Sequence, residues 1–219
     1  MIAFNPAISL LLAFFYSLVV SFSFFEIYFL LPIIFLLYIK KQNLLDIFKK
    51  LLFLNLFIFV LFLVLLFQST FEDALNIYIR SNVIILFNLT LFYSSKGYDI
   101  VRGLSMLKFP NMFTASTYFT LKMIETLTSD FKNIKTTLRA RGFKANTSLF
   151  AYETFGNILG MLFVKSIRKS QALKESFEAR GFSGKIYLND EFNINKYDYY
   201  LGFFVILIIL LKVILWAVQ

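Results

Sequence analysis

The chain contains no cysteine and no histidine, only three prolines and one tryptophan, and 16% charged residues among 219. The missing thiols and imidazoles exclude disulfides, thiolate nucleophiles, zinc fingers, imidazole bases and the usual transition-metal ligands. Charge is also scarce, since soluble domains carry about 25%. A Gly-x4-Gly-Lys-Ser/Thr loop is missing as well, so the chain has no phosphate cradle of that type.

What is present is apolar. Hydrophobic residues make up 59% of the chain, thirty of them phenylalanines, and mean hydropathy is +0.73. A soluble fold of this size buries only roughly 70% of the surface its chain exposes. The sequence therefore predicts an integral membrane protein, with the lipid bilayer as its solvent.

Residues 8–25 and 27–39 carry no charge and are separated by the lone Glu26. At about 20 apolar residues per span, 4–39 is too long for one helix and tight for two. The pattern predicts a helical hairpin, 5–23 and 25–40, with Glu26 near the outer turn and Pro32 kinking the second arm. Further spans are predicted at 51–68, 74–95 and 199–218. Arg80 falls inside the fourth, as a packing or snorkelling residue, and Lys212 lies deep in the last, with Trp216 beyond it as an interfacial anchor. Asn55 and Asn88 are candidates for interhelical hydrogen bonds.

Twenty of the 22 basic residues fall in 40–50 and 96–198, leaving only Arg80 and Lys212 in spans. The positive-inside rule then puts the N terminus, 40–50 and 96–198 in the cytoplasm and the C terminus outside. Met1-Ile2-Ala3-Phe4 lacks the basic region of a cleavable signal peptide. The net charge of +9 is thereby explained by topology, which makes nucleic acid a poor partner.

Residues 96–198 divide into amphipathic stretches. Leu121, Ile124, Leu127, Phe131, Ile134 and Leu138 recur at helical spacing, and Leu159, Leu162, Phe163, Ile167, Leu173 and Phe177 form a second stripe. Long helices over 117–141 and 151–180 follow. The expected fold is all-α: a polytopic membrane helix bundle of about five spans with long amphipathic cytoplasmic helices. Its divisions are a four-span region at 1–95, the cytoplasmic region at 96–198, and a final span at 199–219. A Gly156–Gly160 GxxxG pattern is of the kind that arises often by chance.

Both long helices end in the same words. Ala140-Arg141-Gly142-Phe143 and Ala179-Arg180-Gly181-Phe182 are identical and 39 residues apart, inside the matching nine-residue patterns 137–145 and 176–184. Glycine takes the left-handed position that closes a helix, and the next apolar residue packs back on the last turn. Arginine suits the negative end of the helix dipole. A basic helix cap accounts for one copy; two copies suit a partner that presents the same socket twice.

With these features the chain resembles the transmembrane T component of energy-coupling factor (ECF) transporters, the EcfT/CbiQ-like family. The resemblance covers essentially the whole chain, and the paired tripeptide is its specific part. It implies that the long helices are coupling helices, crossed beneath the membrane, each docking into one of two ABC-type ATPases, as a homo- or heterodimer. Ala140, Arg141 and Gly142 would make one ATPase contact, and Ala179, Arg180 and Gly181 the other. It also implies contact with a membrane-embedded substrate-binding S component, and a subunit with no catalytic group or cofactor of its own. Members often begin with a charged residue, proline and basic residues; here Asn5-Pro6-Ala7-Ile8 stands instead. Vitamins and nickel or cobalt ions are equally open as cargo. The alternative is an autonomous small carrier or channel, against which stand the lack of paired acids and of broken helices in repeat positions. A membrane enzyme is disfavoured by spans with almost no carboxylate.

Overall fold

In the computed structural model, residues 4–41, 44–143, 148–187 and 194–218 are described, with side chains as far as 214. Trp216's side chain, Lys144 and Ala145 therefore lie outside the described set. Eight α-helices and one 3-10 turn make up the described residues, with no strand among them. They are α1 (Pro6–Ser21), α2 (Leu31–Ile39), α3 (Leu44–Gln68), α4 (Phe71–Phe92), α5 (Gly97–Met106), α6 (Asn111–Ala140), α7 (Leu149–Ala179) and α8 (Lys196–Val218). The chain forms two compact units, Met1–Leu107 with Asn189–Gln219, and Lys108–Leu188.

Among the described residues, three helices of the first unit are long and apolar enough to cross a membrane: Leu44–Gln68, Phe71–Phe92 and Lys196–Ile214. Pro6–Ser21 and Ile27–Ile39 are apolar but shorter. The expected first hairpin is thus shorter in both arms. Residues 22–26 leave the helix, and Pro32 occupies the first turn of α2 after the 3-10 turn Ile27–Leu30. There its missing N–H costs nothing and its fixed φ suits helix initiation, so it starts the helix rather than kinking it.

Backbone groups that leave a helix need hydrogen-bond partners from elsewhere in the protein. α4 supplies them: Asn76 Oδ1 accepts from the Phe25 N–H at 3.2 Å, and Arg80 donates to the Ser23 carbonyl at 3.4 Å. This explains why α4 is less apolar than α3, with mean hydropathy of 1.4 against 2.8 over the best window. Other polar residues of α4 tie it to its neighbours. Asn82 accepts from Asn55 of α3 at 2.7 Å, and Tyr78 donates to Asn55 at 2.7 Å. Asn88 donates to Ser17 of α1 at 3.0 Å. Arg80, Asn55 and Asn88 are thus packing residues, as their positions suggested.

Around α1 the core is built from Tyr16, Val20, Phe29, Ile33, Leu36 and Phe87. Tyr16 stacks at 4.0 Å on Phe87 and donates its hydroxyl proton to the Phe29 carbonyl at 2.7 Å. α8 packs on α1 and α2 through Leu201, Val205 and Ile208. α3 packs on α4, yet only 6% of its apolar window is buried. A 25-residue helix with that composition and exposure is one that lipid covers.

Two charged groups are buried at the other end of this unit. Lys40 donates to the Thr90 and Leu91 carbonyls at 2.6 and 3.1 Å, capping the last turn of α4. Asp198 accepts from the Asn5 N–H at 3.1 Å and from the Asn195 N–H at 2.8 Å, so it joins the chain's start to the start of α8. α5 is strongly amphipathic, although it lies outside the two stretches read as long helices, and it packs on the first turns of α1. A Cβ on Gly103 would stand 2.5 Å from Leu10 Cδ1 and 3.0 Å from the Pro6 carbonyl oxygen.

Candidate functional site: two identical helix ends

The second unit is a pair of long helices, 30 residues in α6 and 31 in α7. Each extends the stretch read from periodicity. α6 begins at Asn111 because Pro110, which cannot join an interior turn, sits at its N-cap. α7 begins at Leu149, where Ser148 accepts the Ala151 N–H on its side chain.

The helices run antiparallel. Phe119 meets Phe177 at 4.7 Å between ring centroids, Lys165 bridges to Asp130 at 2.8 Å, and Phe143 meets Phe155 at 5.9 Å. The end of α7 therefore lies beside the Phe119 turn of α6. From there to Ala140 is 21 residues, about 30 Å of helix at 1.5 Å each. The two tripeptides stand at opposite ends of one antiparallel pair.

Locally they are the same object. Ala140 and Ala179 are the last helical residues, and Arg141 and Arg180 are the C-caps. Gly142 and Gly181 follow with φ of +80° and +61°. The Gly142 N–H donates to the Arg139 carbonyl and the Phe143 N–H to the Leu138 carbonyl, both at 3.0 Å. At the second end Gly181 donates to Glu178 at 3.1 Å and Phe182 to Phe177 at 3.0 Å. Both are complete Schellman closures, with the 6→1 and 5→2 bonds in place. Only glycine takes this conformation without strain, and nothing lies within 4 Å of where a Cβ would stand on either.

The closure decides what each end presents. All six residues of the tripeptides are exposed. Among the described residues, neither the Arg141 nor the Arg180 guanidinium has a hydrogen-bond or ion-pair partner. Each end is a bare cation on a helix terminus whose small alanine keeps the surface low.

The surroundings differ in ways the repeat did not signal. Residues 132–141 hold Lys132, Lys135, Arg139 and Arg141 with no acid, whereas 171–180 hold Lys174 and Arg180 against Glu175 and Glu178. Lys174 bridges to Glu178 at 3.7 Å. Beneath the first end, Phe131, Leu138, Phe143, Phe155, Lys135 and Arg139 line a 380 Å³ cavity. At the second end Phe182 stacks on Phe177 at 4.7 Å.

Two other expectations resolve here. Gly156 and Gly160 are exposed, with nothing within 4 Å of an added Cβ, so their spacing brings no described helix close. Lys212 of α8 donates to the Glu26 carboxylate; that pairing had no signal in the sequence. Compared with known protein families, residues 3–189 match the family CbiQ, described as cobalt transport protein. No curated protein matches the chain.

Proposed function

The chain belongs to the CbiQ family of cobalt transport proteins, and on that premise we propose that it is the non-catalytic transmembrane coupling subunit of an ATP-driven ECF-type micronutrient importer. Its partners are two ABC-type ATPases, one at each Ala-Arg-Gly end, and a membrane-embedded S component that holds the cargo. Residues 1–95 and 199–219 hold the membrane, and 96–198 carry the coupling helices on the cytoplasmic side.

The observation that carries this reading is the identity of the two helix ends in conformation as well as sequence. A paired ATPase presents one groove twice, and this chain presents one plug twice, about 30 Å apart on a stiff pair of helices. Arg141 and Arg180 each offer a planar, always-charged fork to an acidic groove, and Ala140 and Ala179 let the groove wall approach. When nucleotide draws the two ATPases together, the Arg141 and Arg180 helix ends move relative to each other and the α6–α7 pair turns. That rotation biases the orientation of the S component, so ATP energy enters as a population shift and the subunit needs no reacting group.

The test is co-purification from native membranes. Wild-type protein is expected to bring down ABC-type ATPases and a small membrane protein. Arg141→Ala/Arg180→Ala is expected to lose the ATPases while keeping its own yield. Full retention by the double variant reduces the tripeptide to a helix cap and removes the coupling role.

A further inference from the structure

We propose that the groove between the start of α3 and the end of α4 binds one anionic phospholipid, with its headgroup on Lys49 and Lys50 and its upper acyl chains against Phe53, Leu54 and Leu89. This requires that the chain spans a bilayer; it does not depend on the coupling role.

The groove has a volume of 610 Å³ and is lined by Asp46, Lys49, Lys50, Phe53, Leu54, Leu89 and Tyr93. Its polar and apolar linings are segregated. Lys49 and Lys50 immediately precede the uncharged run that begins at Leu51, so they stand at the bilayer's polar interface. Phe53 and Leu54 lie one turn further along α3, and Leu89 one turn before Tyr93 on α4, so the apolar wall begins about 5 Å deeper. That is the layout of an amphiphile.

The sign of the headgroup follows from how the charges are engaged. Asp46, the acid of the groove, accepts from the Tyr93 hydroxyl at 3.2 Å. Lys50 lies over the Tyr93 ring at 4.6 Å, and Lys49 has no partner among the described residues. The carbonyls at the end of α4 would add negative potential here, but Lys40 already caps those of Thr90 and Leu91. Two lysines against one engaged carboxylate favour an anion, and Tyr93 holds Asp46 and Lys50 at fixed places on the groove's side.

The test uses the full chain in detergent micelles doped with phosphatidylglycerol or phosphatidylcholine, read by native mass spectrometry. Wild type is expected to retain phosphatidylglycerol in preference. Lys49→Gln/Lys50→Gln should weaken that retention by about fivefold for each lysine removed. Lys122→Gln/Lys169→Gln, which removes the same charge elsewhere, should leave it unchanged. Phe53→Ser should also weaken it, because Phe53 is 81% exposed and serves no packing role within the chain. Equal retention of both lipids by wild type, or unchanged retention in Lys49→Gln/Lys50→Gln, overturns the proposal. Displacement of the lipid by millimolar inorganic phosphate also overturns it, by revealing a phosphate site.

Discussion

Lys212 near the end of α8 donates to the carboxylate of Glu26, 186 residues earlier in the link between α1 and α2, and lies 5.8 Å from the Phe29 ring centroid. Each charge interrupts an otherwise apolar stretch and would be costly in lipid alone. Together they close α8 onto the α1–α2 link. Their side chains are 22% and 37% exposed, so the pair belongs to the outer part of the bundle rather than its centre.

Replacing one partner strands the other. Glu26→Gln and Lys212→Met are each expected to lower the unfolding temperature in detergent, and the double variant to recover part of the loss. The coupling energy should fall between roughly 0.5 and 3 kcal/mol. Strictly additive losses would show that the pair contributes nothing as a pair.

The two cap glycines should respond alike, and unlike the helix-interior Gly156. Gly142→Ala or Gly181→Ala costs roughly 1–2 kcal/mol through backbone strain, since both φ values are positive and no atom obstructs the new Cβ. The Asn variants should be milder, because asparagine tolerates the left-handed region. Gly156→Ala, inside α7 with open space around it, should instead stabilise by about 0.5–1 kcal/mol. Thermal unfolding and ATPase recovery read on the same samples check both directions; ATPase binding untouched by Gly142→Val would detach the cap's shape from docking.

Salt should separate the two plugs. Arg180→Ala leaves docking to the α6 end, with its four cations and no acid, while Arg141→Ala leaves it to the balanced α7 end. Raising salt from about 0.1 M to 1 M shortens the screening length from about 10 Å to 3 Å. ATPase recovery is therefore expected to fall more steeply with salt for Arg180→Ala than for Arg141→Ala. Parallel curves would mean that the surrounding charge has no part in docking.

The absence of native cysteine makes topology measurable. Single cysteines at Lys144 and Ser183, each just past one tripeptide, should both react with a membrane-impermeant reagent only from the cytoplasmic face. Reaction from opposite faces would place the plugs on two sides of the membrane and end the paired-docking reading.

Composition and periodicity by themselves determined that this chain is an all-α membrane protein, because backbone geometry fixes the helix period and bilayer thickness fixes the span length, and both are read from neighbouring residues. The paired tripeptide was equally legible: a helix end is closed by neighbours in sequence, and Arg-Gly-Phe carries its own Schellman bonds. Phe143 and Phe182 were readable as the residues that fold back. What surrounds them was not, since the cavity beneath Phe143 is made by Phe131 from the same helix and Phe155 from the next. Tertiary structure alone decided that Lys212 meets Glu26, that Asn76 and Arg80 satisfy the broken backbone at 22–26, and that α5 seats on α1 through Gly103. It also decided that the two tripeptides stand at opposite ends of one antiparallel pair. Each of these depends on which helices become neighbours, and periodicity gives a helix its apolar face without naming the helix that will cover it.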